Sequence, residues 1–345
     1  MDHAVQPNLN PSHPPGRELH SGSGRIVVSS HASKAVFSEL AATYPLKLLS
    51  PRTGPGGVAV VYVLSYGGGL VGGDEVILTV EVKGLARLVM LSQGSTKVFK
   101  MRTGDRLSTS LKRPQVPAST PEIPTGGVAS SSSVPVSTAP LTTQVMEYSV
   151  EGGAGLYLLP EPVTCFRDAA YKQIQRFHLK RTSSLVLLDS ITSGRQACGE
   201  DWDFAKYYSL NEVWVEEKLV AKDVMLLAGP ETQEGSNRTH PRIPKRQLRD
   251  QLAPYSCYAM VLLFGPQVLD IVQDLQAQYK EEIVFQRKKP TDSIWSLSLL
   301  GESPLDGAIV RVAAKETEVV RSCLKSILRQ LDKTIGVDTY QRAFA

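Results

Sequence analysis

The sequence lacks the features of several protein classes. None of its apolar runs approaches the roughly 18 to 20 residues of a membrane-spanning helix. Its four cysteines form no C-x-x-C pair, which argues against a disulfide framework or a zinc knuckle and favours reduced thiols. The formal net charge of +4 is far below that of a typical nucleic-acid-binding domain. We therefore expect a soluble, folded protein whose partners include neither a membrane nor nucleic acid.

The N-terminal region has no apolar block of a secretory signal and is not arginine-rich like a mitochondrial one. Residues 1–23 are instead rich in Pro, Ser, Gly and His, a composition that predicts a disordered extension. We therefore expect a cytoplasmic protein whose folded part begins at residue 24.

From residue 24 onward, the pattern favours short strands over helices. Between Asp74 and Val82, apolar and mostly polar residues alternate, which predicts a strand with one buried face. Two helical patterns appear only late, at Gln267–Tyr279 and Glu316–Leu331. The sequence thus predicts a mainly β (α+β) fold in a single domain over 24–345. A Pro/Ser/Thr-rich insertion at 114–143 and a polar loop at 230–244 interrupt it.

No arrangement of residues resembles a known catalytic site. The segment Gly67–Gly72 has the G-x-G-x-x-G spacing of dinucleotide-binding proteins, but a strand pattern follows it where that motif needs a helix. There is no G-x-S-x-G elbow and no H-E-x-x-H helix. His178 lies alone in a predicted strand, and the other five histidines lie in or beside predicted loops. We therefore expect no catalytic residues and a protein that is not an enzyme.

Several motifs follow one another in a recognisable order. A glycine turn at Gly68–Asp74 (GGLVGGD) opens a strand, and the segments Gly84–Ala86 (GLA) and Gly94–Phe99 (GSTKVF) follow. Further along are Gly155–Pro162 (GLYLLPEP) and Asp189–Arg195 (DSITSGR). This series resembles the signature of the urease accessory protein UreD family, also called UreH. The resemblance extends from about residue 24 to the end, although the chain lacks the family's usual P-R-[IL]-W ending.

The resemblance implies both a fold and a function. The implied fold is a right-handed β-helix-like stack of short strands with two α-helices near the C-terminus. The implied function is that of a non-enzymatic chaperone and complex scaffold in urea metabolism. Such a protein binds apo-urease and recruits UreF, which brings the GTPase UreG for nickel insertion. No tightly bound cofactor is implied, because Ni(II) would only be in transit.

The resemblance also implies which residues serve that transit. Asp74 and Asp189 would supply carboxylate oxygens to a transient nickel path, and Ser95, Thr96 and Lys97 would line or support it. Each of these side chains has a structural alternative, as a turn cap, a strand hydroxyl or an ion pair. The helices at 267–281 and 316–331 are candidates for the surface that faces UreF. The glycines of the turn are Gly68, Gly69, Gly72 and Gly73.

The sequence is also compatible with two other functions. A carbohydrate-active β-helix enzyme would share the strand-rich pattern, but it would need carboxylates or basic groups that converge on one groove. A structural β scaffold without a metal role would bind partners and leave nickel content unchanged.

Overall fold

The computed structural model describes residues 19–32, 34–51, 57–100, 141–229, 246–285 and 292–344. The predicted N-terminal extension, insertion and polar loop lie mostly outside these residues. Where the predicted extension and insertion overlap the described residues, Ser23 already belongs to the first strand, and Thr142 and Thr143 belong to the strand that follows the insertion. The single-domain organisation stays a prediction.

The described residues form seventeen strands and five α-helices. The strands are β1 (Ser23–His31), β2 (Lys34–Ala42), β3 (Leu46–Leu49), β4 (Val58–Ser65), β5 (Glu75–Lys83), β6 (Arg87–Leu91), β7 (Thr96–Val98), β8 (Thr142–Val150), β9 (Gly155–Leu159), β10 (Val163–Cys165), β11 (Ala170–Leu179), β12 (Ser184–Thr192), β13 (Lys206–Val215), β14 (Lys218–Ala228), β15 (Cys257–Phe264), β16 (Ser293–Leu299) and β17 (Ala308–Ala314). The helices are α1 (Leu248–Leu252), α2 (Leu269–Phe285), α3 (Thr317–Ile327), α4 (Asp332–Ile335) and α5 (Val337–Ala343).

The strands form two sheets that the chain visits alternately. The outer sheet has seven strands in the order β14-β13-β11-β8-β5-β1-β2. The middle sheet runs β16-β17-β15-β12-β9-β6-β4-β3, with β7 and β10 attached beside β12. The neighbouring strands β5, β8, β11 and β13 are parallel, as are β4, β6, β9 and β12. Between β4 and β13, the chain therefore crosses repeatedly from one sheet to the other, whereas β1–β2 and β13–β14 are consecutive strands of the same sheet.

Alternation of side chains builds the core between the two sheets. In β5, Val76, Leu78, Val80 and Val82 are buried, whereas Glu75 and Ile77 are exposed on the opposite face. The buried set packs against the middle sheet in one cluster that includes Leu88, Leu156 and Leu187. The predicted strand is thus confirmed, with one face towards the core.

A second core lies on the other face of the middle sheet. There, Val272 and Leu275 of α2 and Leu324 of α3 pack against middle-sheet residues such as Val261 and Val310. Both predicted helices are present, although α3 ends at Ile327, before the predicted Leu331. The mainly β fold with late helices is confirmed. The β-helix-like stack is not confirmed, because the strands form two open sheets covered on one side by helices.

Candidate functional site

The glycine turn is joined to the Gly94–Phe99 segment by backbone hydrogen bonds. The amide of Leu70 donates to the carbonyl of Lys97, and the amide of Phe99 donates to the carbonyl of Leu70, both at 2.8 Å. Gly69 makes this close approach possible, since a Cβ there would lie 2.6 Å from the Lys97 carbonyl oxygen and 2.5 Å from the Phe99 ring. Gly68, with φ +79°, adopts a backbone conformation that other residues rarely take. Two parts of the sequence signature are therefore one structural unit.

Asp74 acts within the same turn. Its carboxylate accepts a hydrogen bond from the backbone amide of Val71 at 2.8 Å, and its own amide donates to the Val71 carbonyl at 2.9 Å. This is the geometry of an aspartate that caps a turn. The remaining two turn glycines differ: Gly73 has φ +94°, whereas Gly72 is not among the glycines with positive φ.

A cavity begins beside this unit. Its outer part, of about 80 Å³, is lined by Gly68, Ser95 and Thr96. Its inner part, of about 60 Å³, lies between the two sheets and is lined by Thr96 and Asp189 among others. The two parts share Val63, Ser92, Thr96 and Gln144, so they adjoin. Because a water molecule needs roughly 10–15 Å³ of such volume, each part has room for several. Of the residues that the sequence singled out, Ser95, Thr96 and Asp189 thus meet one cavity, whereas the side chain of Lys97 is exposed.

Asp189 lies inside the protein, and its remaining accessible surface lines the inner part of the cavity. Its carboxylate accepts hydrogen bonds from Ser209 Oγ at 2.6 Å, Asn211 Nδ2 at 2.7 Å and Gln173 Nε2 at 3.4 Å. Among the described residues, no lysine or arginine forms an ion pair with it. Burial therefore raises the pKa of the Asp189 carboxyl; the hydrogen bonds lower it in part, and the nearby Asp223 raises it further.

The hydrogen-bond partners of Asp189 belong to a larger polar surface. Two cross-strand rows of the outer sheet point inward, and their registers place polar side chains next to one another on β8, β11, β13 and β14. We call these two rows the polar track. The first row contains Gln144, Gln173, Ser209 and Met225; the second contains Met146, Gln175, Asn211 and Asp223.

The polar track is held in place by tyrosine hydroxyls. The hydroxyl of Tyr171 lies within hydrogen-bonding distance of the amide oxygens of Gln144 and Gln173. Tyr148 contacts Gln175 Oε1 at 3.3 Å. Burial raises the pKa of both phenols, so both stay neutral and can donate at physiological pH.

The sequence reasoning missed most of the polar track, although a signal was present. In β11, Tyr171, Gln173, Gln175, Phe177 and Leu179 share the phase that faces the core. Two glutamines on the apolar phase of a buried strand are unusual, because a buried amide must find hydrogen-bond partners. β13 shows the same signal in Ser209 and Asn211, each only 1% exposed.

The chemistry of the lining favours weak, exchangeable binding of a cation. Carboxylate, amide and hydroxyl oxygens suit divalent cations, whereas tight sites for soft metals use cysteine or several histidines. Within the described part of the chain, no cluster of three or more His, Cys, Asp or Glu side chains could hold a metal ion. The cavity could therefore accommodate a passing cation and contains no closed metal site in that part of the chain.

The helices among the described residues are all too short or too polar to cross a bilayer.

Comparison with known proteins gives a consistent result. The family model described as UreD urease accessory protein matches residues 20–343. Urease accessory protein 4 of Cryptococcus neoformans var. grubii is 36% identical over 90% of this chain and 90% of its own length. Urease accessory protein D of Oryza sativa subsp. indica is 30% identical over 93% of this chain and 95% of its own. Urease accessory protein UreD of Sorangium cellulosum is 29% identical over 99% of this chain and 93% of its own length.

Proposed function

Since the chain belongs to the UreD family of urease accessory proteins, we propose that it acts in the nickel insertion step of urease maturation. It binds apo-urease in the cytoplasm and recruits UreF, which brings the GTPase UreG. It catalyses no reaction of its own. Ni(II) is its transient cargo and passes through the cavity between the two sheets, from the glycine turn towards Asp189.

The observation that carries this proposal is the partly buried carboxylate of Asp189. A carboxylate inside a protein normally has a cationic partner, because its desolvation is costly. Among the described residues, Asp189 instead has an amide, a hydroxyl and a second amide as donors, and it lines the inner part of the cavity. A divalent cation in transit would supply the missing positive charge.

The helices contribute a surface to the same proposal. The buried faces of α2 and α3 cover the middle sheet, so only their outward faces remain for UreF. Arg329 of the segment after α3 pairs with Asp274 of α2 at 3.3 Å, so the two helical segments are in contact on their outer side. We infer that UreF contacts this pair of helices from outside.

The proposal is tested in cells from which the gene for this chain has been deleted. Urease should accumulate as protein but contain little nickel, and re-expression of the chain should restore both nickel and activity. UreF should co-purify with the re-expressed chain. Fully nickel-loaded urease in the deletion strain would overturn the maturation role. Partner binding by the re-expressed chain, with the same nickel content of urease in both strains, would leave only a structural scaffold.

A further inference from the structure

The polar track ends at a strand edge that is closed by an ion pair. Asp223 on β14 lies opposite Asn211 on β13, and its side chain is 14% exposed. Arg311 on β17 of the middle sheet reaches across, and its Nη2 donates to Asp223 Oδ1 at 2.6 Å. The Arg311 side chain is 50% exposed, so this pair stands between the interior and solvent.

The middle sheet places Asp189 and Arg311 on the same cross-strand row. Asp189 on β12 is opposite Met260 on β15, and Met260 is opposite Arg311 on β17. Neighbouring strands are about 4.8 Å apart, so the two side chains start from backbone positions roughly 10 Å apart. Asn211 donates to Asp189, Arg311 donates to Asp223, and Asn211 and Asp223 are cross-strand neighbours between these two bonds. The row of polar groups is therefore continuous from the cavity to the β14 edge.

Asn211 has an acceptor without a partner. The residue is 1% exposed, and within the described residues its Oδ1 atom has no hydrogen-bond donor. A buried oxygen without a donor destabilises a fold by roughly 1–3 kcal/mol. Its amide nitrogen is already bonded to Asp189, and Asp223 is its cross-strand neighbour. An unpaired oxygen on a residue that lies between two aspartates can be satisfied by a cation.

We propose that Asp189, Asn211 and Asp223 form a transient oxygen-ligand site for a divalent cation, and that Arg311 closes this site while it is empty. This inference rests on the proposed function, since it describes where the cargo pauses and how it leaves. A guanidinium keeps its charge at any physiological pH, so Arg311 can open the site only by moving away from Asp223. Its half-exposed position allows that movement into solvent.

The test measures Ni²⁺ binding to the purified full-length chain by equilibrium dialysis. Arg311→Met keeps the length of the apolar stem and removes the charge. Because it removes a like charge close to the cation and frees Asp223, it should tighten Ni²⁺ binding about tenfold or more. Adding Asp189→Asn or Asp223→Asn to Arg311→Met should abolish the gain. An Arg311→Met chain with unchanged Ni²⁺ affinity, or a gain that survives both additions, would overturn the site.

A matched control separates this site from surface binding. Lys315 and Asp292 form an exposed ion pair at 2.9 Å, away from the polar track. Lys315→Met should leave Ni²⁺ affinity unchanged; an equal gain there would mean that any lost positive charge suffices. If Arg311→Met does not fold, as judged by circular dichroism, Arg311→Lys replaces it. A smaller gain in Ni²⁺ affinity is then expected, and an unchanged affinity would count against the site.

The outcome does not depend on urease. If the binding results hold while deletion of the gene leaves urease loaded, the cation site stands and the maturation role fails. If deletion abolishes loading while the binding results fail, the maturation role stands without this site.

Discussion

Within the described residues, Asp189 has neutral hydrogen-bond donors and no cationic partner, and this affects the stability of the fold. Its pKa is raised by burial in the folded chain, whereas in the unfolded chain it lies near the ordinary value of about 3.9. The folded state therefore binds more protons between these two pKa values, and the free energy of unfolding falls as pH rises through that range. Above the folded-state pKa, this contribution to the free energy of unfolding is completely lost and no longer changes with pH.

The first prediction uses the near-isosteric substitution Asp189→Asn. The metal-free variant should be more stable than the wild type at neutral pH, because it no longer buries a charge without a cationic partner. The advantage should shrink as pH falls towards about 4 and vanish below it. Urea unfolding at a series of pH values measures both the stability difference at neutral pH and its decrease at lower pH. A variant less stable than the wild type at neutral pH would mean that the ionised carboxylate stabilises the fold.

A second residue-scale prediction concerns the four cysteine thiols. Cys165 and Cys257 are buried, and burial raises both pKa values, that of Cys257 to about 12, so neither forms a reactive thiolate at neutral pH. Cys198 is exposed and Cys323 is partly exposed. A maleimide reagent should therefore modify Cys198 first and the buried pair only in denaturant, as read by peptide mass spectrometry. Early labelling of Cys165 in the native chain would contradict the core packing.

At the scale of elements, the glycine turn approaches β7 so closely that Gly69 leaves no room for a side chain. Gly69→Ala should destabilise the fold by about 1–3 kcal/mol, because its Cβ would meet the Lys97 carbonyl and the Phe99 ring. Gly229→Ala is the matched control, since its nearest contact would be at an ordinary 3.9 Å. Thermal unfolding compares the two variants. Equal melting temperatures would show that the turn relaxes without cost.

The helical layer gives a prediction in which side-chain volume is removed instead of added. Leu324 of α3 is 5% exposed against the middle sheet, and Leu324→Ala should cost about 2–5 kcal/mol of unfolding free energy. Lys325→Ala on the exposed face should change it by less than about 0.5 kcal/mol. Chemical denaturation measures both changes. Similar losses from both substitutions would contradict the packing of α3 on the sheet.

Local elements could be predicted from the sequence, whereas their pairing could not. The alternation in β5 and the helical spacing in α2 are local patterns, and both predict the observed element. The parallel pairing of β1 with β5 joins residues more than fifty positions apart, and no local pattern contains it. Nor could the pattern decide between a closed stack and two open sheets, because both need strands with one buried face.

For the molecule as a whole, the sequence predicted parts of the candidate site and not their assembly. Ser95, Thr96 and Asp189 do meet one cavity, although they come from separate segments. The connection between the cavity and the β14 edge depends on Gln173, Asn211 and other side chains that only the strand register brings together. The two sheets thus form the core and also enclose a polar route through it.

In the proposed function, nickel passes Asp189 inside this chain. The most direct measurement is the nickel content of urease purified from cells that carry Asp189→Asn in place of the wild-type chain. Urease protein and UreF co-purification should be unchanged, while nickel per active site should fall about tenfold. Asp292→Asn, at an exposed ion pair outside the cavity lining, should leave nickel content at the wild-type level. Full nickel loading with Asp189→Asn would contradict the account.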